Sequence, residues 1–265
     1  MKQNINVRIA QMGFTGTDII SHVEKLEAVI SQNRDADLLV FPELILQGHP
    51  SLEKPEGFLY RRARAIYGQV SSRLYRFVAE QDARVIVGQI RRKGDDLYNM
   101  ATYADREGQQ HYTKCHVHWT ENFVPGTKLR VFETPLGKVG INVCFDGAFP
   151  EVWRVSSLLG ARILVNISAV PDSFPVEYMH RRLAGAALDN QVYVLYANRP
   201  RPGFSGGSGV FDPQGNMTVG AGAGESIISA HLDMETVRLW RSEERIFTHR
   251  RPELYRLLAK RGEGR

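Results

Sequence analysis

The stretch Lys138–Arg154, K-V-G-I-N-V-C-F-D-G-A-F-P-E-V-W-R, decides how this chain is read. Val139–Val143 is an apolar run with the character of a buried strand, and Cys144 stands where the run stops. Gly147 and Pro150 follow, and Glu151–Leu159 then carries apolar residues at helical spacing. Proline is favoured at the start of a helix because the N–H it lacks would have had no partner there. Cys144 is therefore predicted on a sharp strand-to-helix turn, where free backbone N–H groups gather around its side chain. Such groups lower a thiol pKa and can hold an oxyanion. The same pattern also describes a buried structural cysteine, because an unreactive thiol packs as a small hydrophobe.

Outward from this turn, apolar runs and helical stripes alternate. Val7–Met12 reads as a strand and Asp18–Gln32 as a helix, with Ile19, Ile20, Val23, Leu26 and Ile30 on one face. Asp37–Pro42 is a second buried strand, and Glu43 follows at its C-terminal end, where open α/β sheets place ligands. His49–Phe58 is a loop, Arg61–Gln81 a helix, and Ala83–Gly88, Leu97–Ala104 and Gln110–Val117 are strands, the last carrying Lys114. Asn122–Lys128 is a loop. Ile163–Ser168, Val192–Ala197 and Ser226–Leu232 are further strands, with helices over Tyr178–Asn190 and from Met234. Asn166–Val170 follows a strand's C-terminal end and is expected to line a pocket, with Ala169 and Val170 setting its width. The alternation argues for one α/β domain over residues 1–265. Neighbouring strands without intervening helices predict a mixed, double sheet.

With 265 residues, 43% of them apolar, the chain can bury one large core. Two cysteines do not make a disulfide framework. Met1–Asn6 is polar, unlike a signal peptide, and no run approaches a membrane span, so a reducing, cytoplasmic setting is expected. The net charge of +5 comes from scattered arginines that do not interleave with aromatics. A solvated basic surface is predicted, with neither nucleic acid nor membrane as partner.

Glu43, Lys114 and Cys144 all stand at strand ends. A carboxylate near a thiol can take its proton and later pass it to a leaving amine. A lysine near both keeps the carboxylate ionised and offers charge to an oxyanion. Cys115, His116 and His118 are residue types that bind metals, but on a strand Cys115 and His116 point to opposite faces. No metal is expected, and Cys115 is read as core. Trp119, between Lys114 and Glu121, is read as a pocket wall. Arg181 and Arg182 are expected on a solvated or subunit-facing helix edge. Gly206–Gly209 is not a phosphate loop, because no Lys-Ser/Thr follows and no helix begins there.

These motifs, taken together, resemble the carbon–nitrogen hydrolase, or nitrilase, superfamily. Leu39–Leu44 is similar to its strand-end glutamate motif, Tyr112–His116 to its lysine motif, and Gly140–Glu151 to its nucleophile motif. Asn198-Arg199, Gly206–Ser208 and Arg250–Tyr255 resemble its late segments. The resemblance implies an α–β–β–α sandwich that pairs into a homodimer or larger homo-oligomer, with the tail, about 245–265, at a subunit interface. It implies Glu43 as general base, Lys114 as electrostatic stabiliser and Cys144 as nucleophile, with the Phe145 N–H and Lys114 holding the oxyanion and no cofactor. Glu121 fits a second glutamate that orients the lysine, although its gap to Pro125-Gly126 is shorter than the family pattern. His49 stands where an aromatic commonly follows the glycine and is assigned to specificity. Phe145-Asp146 after the cysteine resembles the amidase and carbamoylase branches, whereas nitrilase branches tend to have Trp-Glu. The expected reaction is cleavage of a small amide through a thioester with release of ammonia. An N-carbamoyl substrate, a nitrile, a soluble acyl transfer or a non-catalytic scaffold are the alternatives.

Overall fold

Strands β2 (Leu38–Val40), β8 (Ile163–Ile167) and β9 (Tyr193–Ala197) are buried at every position. Strands covered on both faces read as such continuous apolar runs. A computed structural model describes residues 2–14, 19–48 and 58–260, with the side chains of 58–67 excepted. It shows what covers them.

The first sheet has the order β12-β1-β2-β3-β4-β5 and the second β11-β10-β9-β8-β7-β6. The remaining strands are β1 (Asn4–Gln11), β3 (Val85–Lys93), β4 (Asp96–Asp105), β5 (Gly108–Thr113), β6 (Val131–Thr134) and β7 (Gly137–Val143), then β10 (Gly209–Phe211), β11 (Met217–Gly220) and β12 (Ser226–Asp233). Each sheet has a parallel centre, β1-β2-β3 or β7-β8-β9, and antiparallel flanks. Helices α1 (Ile19–Gln32) and α2 (Phe58–Glu80) cover the first sheet, and Leu26, Ile30, Leu74 and Val78 pack there against Leu39, Phe41 and Val85. Helices α3 (Pro150–Leu158) and α4 (Val176–Asn190) cover the second, through Trp153, Leu183 and Ala187 on Leu164 and Val194. The central core, with Ile9, Val40, Ile86, Tyr112, Ile141, Val165 and Leu195, lies between the sheets. This is the expected α–β–β–α sandwich. Among the described residues, no helix is long and apolar enough to cross a membrane.

The register carries the function. Val143 pairs with Ile167 and Ile167 with Ala197, so Cys144, Ser168 and Asn198 leave the second sheet side by side. Four elements differ from expectation, and Ile20 of α1 is exposed, off the buried face formed by Ile19, Val23, Leu26 and Ile30. β5 ends at Thr113, because the chain turns away to wrap the site, so Lys114–Val117 is not strand. β6 and β11 are short edge strands of four residues that the sequence reading left out. The alternation of so short a strand is too brief to stand out. The last helix, α5, runs on over Met234–Glu243, its start capped by Asp233, which accepts from the Glu235 N–H at 2.9 Å.

Candidate active site

Glu43 is placed by the way β2 ends. Phe41 N–H makes a last sheet bond to Ile86 O at 2.8 Å, and Gly88 N–H donates to Pro42 O at 3.2 Å. The chain then crosses directly over Gly88, where an added Cβ would lie 2.4 Å from Leu44 N and 2.6 Å from Glu43 Cα. Only glycine admits that approach. Leu44 turns the chain back with φ of 51°, a left-handed conformation uncommon for leucine. The Glu43 carboxylate ends up fully buried, and its Oε1 accepts from Asn99 Nδ2 at 2.6 Å and from Lys114 Nζ at 3.0 Å.

Lys114 follows the last residue of β5. Its N–H donates to Asn99 O at 2.9 Å and its carbonyl accepts from Gly126 N–H at 2.8 Å. Gly126 sits so close that a Cβ there would lie 2.4 Å from Thr113 O. The ammonium is fully buried and bonds Glu121 Oε1 and Oε2 at 2.8 and 2.9 Å. The fold thus places Glu121 against the lysine, despite its short gap to Pro125-Gly126. Burial works against the ammonium, but the facing carboxylates of Glu43 and Glu121 outweigh it and hold Lys114 above the ordinary lysine range. Glu121 moves the other way from an ordinary carboxyl: burial and the nearby Glu43 push it up to about 7, against the pull of Lys114.

Cys144 ends β7 with φ of 46° and opens a 3-10 turn, Cys144–Ala148, before Pro150 starts α3. A left-handed non-glycine residue is strained, typically by about 1–3 kcal/mol, and such strain collects at functional sites. The thiol is half-buried. It does not have the lowered pKa expected from the turn. Burial and then Glu43 push it up to about 12, and Lys114 and a backbone hydrogen bond with Ala169 only partly offset them. The shift favours the neutral thiol over the thiolate. The turn's N–H groups do not prevail, because removal of water and a facing carboxylate both oppose the thiolate.

Asp146, fully buried, joins the two halves of the site. Its Oδ2 accepts from Tyr112 Oη at 2.9 Å and Val143 N–H at 3.1 Å, and its Oδ1 from His116 N–H at 2.8 Å. His116 Nδ1 lies 2.9 Å from the same Oδ1, and the ring stacks on Phe149 at 3.9 Å. Behind the nucleophile, Asn166 Nδ2 bonds Asn142 Oδ1 and reaches Cys144 O at 3.3 Å, and Ser168 Oγ donates to Asn166 Oδ1 at 2.6 Å.

Ala169 and Val170 are buried beside Cys144, and Val170 N–H is held by Asn198 Oδ1 at 2.9 Å. Phe145 is half-buried and meets Phe149 edge-on at 5.3 Å. Trp119 is no enclosed wall: it is 80% exposed, stacked on His118 at 3.8 Å and edge-on to Phe145 at 5.7 Å. It stands on the rim. His49 lies outside the described residues. Cys115 is half-buried against the inter-sheet core, its sulfur 3.5 Å from both Thr113 O and Lys128 O, either of which can accept its one proton, while His116 turns to Asp146. That divergence comes from a loop, not from strand alternation. Arg182 is not simply solvated: it donates to Ala148 O at 3.1 Å and lies over the Tyr178 ring at 4.6 Å. Asn99 was missed in the sequence, where the available signal was an asparagine inside an otherwise apolar strand, Leu97-Tyr-Asn-Met-Ala101.

The comparisons agree with this geometry. The carbon–nitrogen hydrolase family matches residues 6–242. A hydrolase in the pqqF 5′ region of Pseudomonas protegens is 30% identical over 257 residues, covering 92% of this chain and 88% of that one. The omega-amidase NIT3 of Saccharomyces cerevisiae is 26% identical over 283 residues, covering 96% of each. The crystal structure of Saccharomyces cerevisiae Nit3, a member of branch 10 of the nitrilase superfamily, superposes with a TM-score of 0.79 at 25% identity, covering 95% of this chain and 98% of that one. A likeness that runs the length of both chains, in a sandwich whose strand ends bring a glutamate, a lysine and a cysteine together, establishes that this chain belongs to the carbon–nitrogen hydrolase family of the nitrilase superfamily and is a hydrolase.

Proposed function

We propose that the chain hydrolyses a small amide to a carboxylic acid and ammonia, with Cys144 as nucleophile, Glu43 as general base and acid, and Lys114 as oxyanion stabiliser. The observation that carries this reading is the state of the three groups. A neutral Cys144 thiol stands in electrostatic contact with a fully buried Glu43 carboxylate and Lys114 ammonium. A thiol that does not ionise by itself needs a base at the moment of attack, and Glu43 is that base. Its proton passes to Glu43 as the sulfur adds to the amide carbon. The oxyanion forms against the Lys114 ammonium and the Phe145 N–H. Glu43 returns the proton to the nitrogen, the C–N bond breaks and ammonia leaves a Cys144 thioester. Water, deprotonated by Glu43, adds to the thioester; the thiolate departs and recovers the proton. Glu121 holds Lys114 at the oxyanion position. These steps use the chain's own groups and water.

The test is a paired assay of an aliphatic amide, its N-carbamoyl counterpart and its nitrile, with ammonia, acid and amide products measured. The amide is expected to turn over fastest. A nitrile that reacts faster and gives acid directly would overturn the substrate class and leave the catalytic residues standing. Hydroxylamine added to the same assay separates hydrolysis from acyl transfer.

We also propose self-association through the α3–α4 layer. Leu158, Leu159 and Leu188 are exposed there, and the tail exposes Leu254, Leu257 and Leu258. Apolar surface of this kind favours a homodimer or larger assembly of a single-domain subunit. Light scattering that finds a stable monomer at micromolar concentration would contradict this. A working thiol also suits a reducing compartment, which favours the cytoplasm.

A further inference from the structure

We propose that Asn99 is a positioning residue for the reaction: its side chain holds the Glu43 carboxylate in the orientation from which it takes the Cys144 proton. This rests on the reading of Glu43 as general base. Asn99 lies on β4, paired with Ile90, among the buried Leu97, Met100 and Ala101, and is itself fully buried. A buried primary amide is costly unless both of its ends are bonded. Here Nδ2 donates to Glu43 Oε1 at 2.6 Å, while Oδ1 has no hydrogen-bond partner among the described residues. As packing, then, asparagine is a poorer choice than leucine of nearly the same shape. Its one strong contact points at the base.

That contact also constrains the carboxylate. Asn99 Nδ2 and Lys114 Nζ both bond the same oxygen, Oε1, so rotation about the terminal bond of Glu43 would break both. The same residue's carbonyl accepts from Lys114 N–H at 2.9 Å, so Asn99 marks the point where the lysine leaves the strand as well. A donor to a carboxylate favours its charged form, which is the form that acts as base. The charged and titratable groups that face Glu43 are Lys114, Glu121 and His118 from the loop after β5, Cys144 from the second sheet, and Tyr196 from β9.

The experiment uses the full chain with Asn99→Leu, Asn99→Asp and Glu43→Gln made side by side. Asn99→Leu should lower kcat by about tenfold to a hundredfold, on the scale of a misplaced catalytic group. KM should stay within about threefold, because the substrate is not touched. The acid limb of kcat/KM should move to higher pH, and the unfolding midpoint should not fall. Asn99→Asp should keep activity at low pH, where the two carboxyls share a proton, and lose it as that proton leaves. A role in packing alone would move stability and leave both pH profiles where they were. Wild-type kcat and an unmoved acid limb in Asn99→Leu would overturn the proposal. If Asn99→Leu does not fold, the Asn99→Asp profile decides: a wild-type profile overturns it, and a loss confined to higher pH supports it. Turnover retained in Glu43→Gln would sink the general-base reading itself. An inactive Glu43→Gln beside a fully active Asn99→Leu would remove only the role of Asn99.

Discussion

The first sheet delivers Glu43, Asn99 and Lys114, fully buried and bonded to one another at 2.6–3.0 Å, with Glu121 completing the set from the loop beyond. The second sheet delivers Cys144, half-buried, uncharged at rest and held in a left-handed backbone conformation. One half stores charge in a dry, paired network, and the other presents a neutral group on a strained turn. The contrast has a chemical use. Paired charges in a low-dielectric interior need no reorganisation when an oxyanion forms. A neutral thiol limits side reactions until substrate and base are both in place. The halves meet through Asp146, which belongs to the nucleophile turn but is bonded by Tyr112 and His116 of the lysine segment.

Removing the nucleophile should separate the halves most clearly. Cys144→Ala should lose essentially all turnover, on the scale of about a millionfold for a lost nucleophile. Its stability should change by no more than about 1 kcal/mol, since a half-buried thiol contributes little packing. Steady-state rates and urea unfolding on the same preparation check both. Near-normal rates in Cys144→Ala would mean that the wrong thiol has been chosen.

Lys114→Ala attacks the other half and should differ in kind. Two buried carboxylates lose their shared cation, which typically costs about 3–5 kcal/mol of stability. Turnover should fall about a hundredfold or more from the lost oxyanion donor. If urea unfolding shows Lys114→Ala to be as stable as Cys144→Ala, the two halves do not differ as described.

Asp146→Asn tests the joint between them. The amide must point a donor at the Tyr112 hydroxyl and Val143 N–H, or at His116 N–H, all of which already donate. About 1–3 kcal/mol of stability should be lost, with a fall in kcat larger than any change in KM. Equal stability and rate would show that the halves are held together by the core alone.

A separate effect concerns pH. The Glu121 carboxyl is raised from 4.5 to about 7 in the folded chain. The unfolded chain therefore gives up this proton first as pH rises. Stability contributed by the protonated group is fully present below about 4.5 and is lost as pH rises through about 7. Urea midpoints measured from pH 5 to 8 should show this decline, and Glu121→Gln should flatten it. An equally steep decline in the Gln variant would assign the effect elsewhere.

The amino-acid sequence by itself determined the layers and the three principal residues. Near-continuous apolar runs such as Ile163–Ile167 read as strands covered on both faces, and helical stripes such as Ile19, Val23, Leu26 and Ile30 supply the cover. Glu43 and Cys144 were legible because each is a reactive residue at the end of such a run, and Lys114 because it stands in the motif Tyr112–His116. Asn99 and Asp146 carry no comparable signal, since their roles depend on partners 56 and 30 to 34 positions away. Charge state was likewise undecided by sequence. The turn at Cys144 alone argued for a lowered thiol pKa, but the other sheet places Glu43 opposite it and the packing removes its water. Local spacing specifies where a side chain leaves the backbone. What faces it, and how much water remains around it, is settled only when the two sheets close on one another.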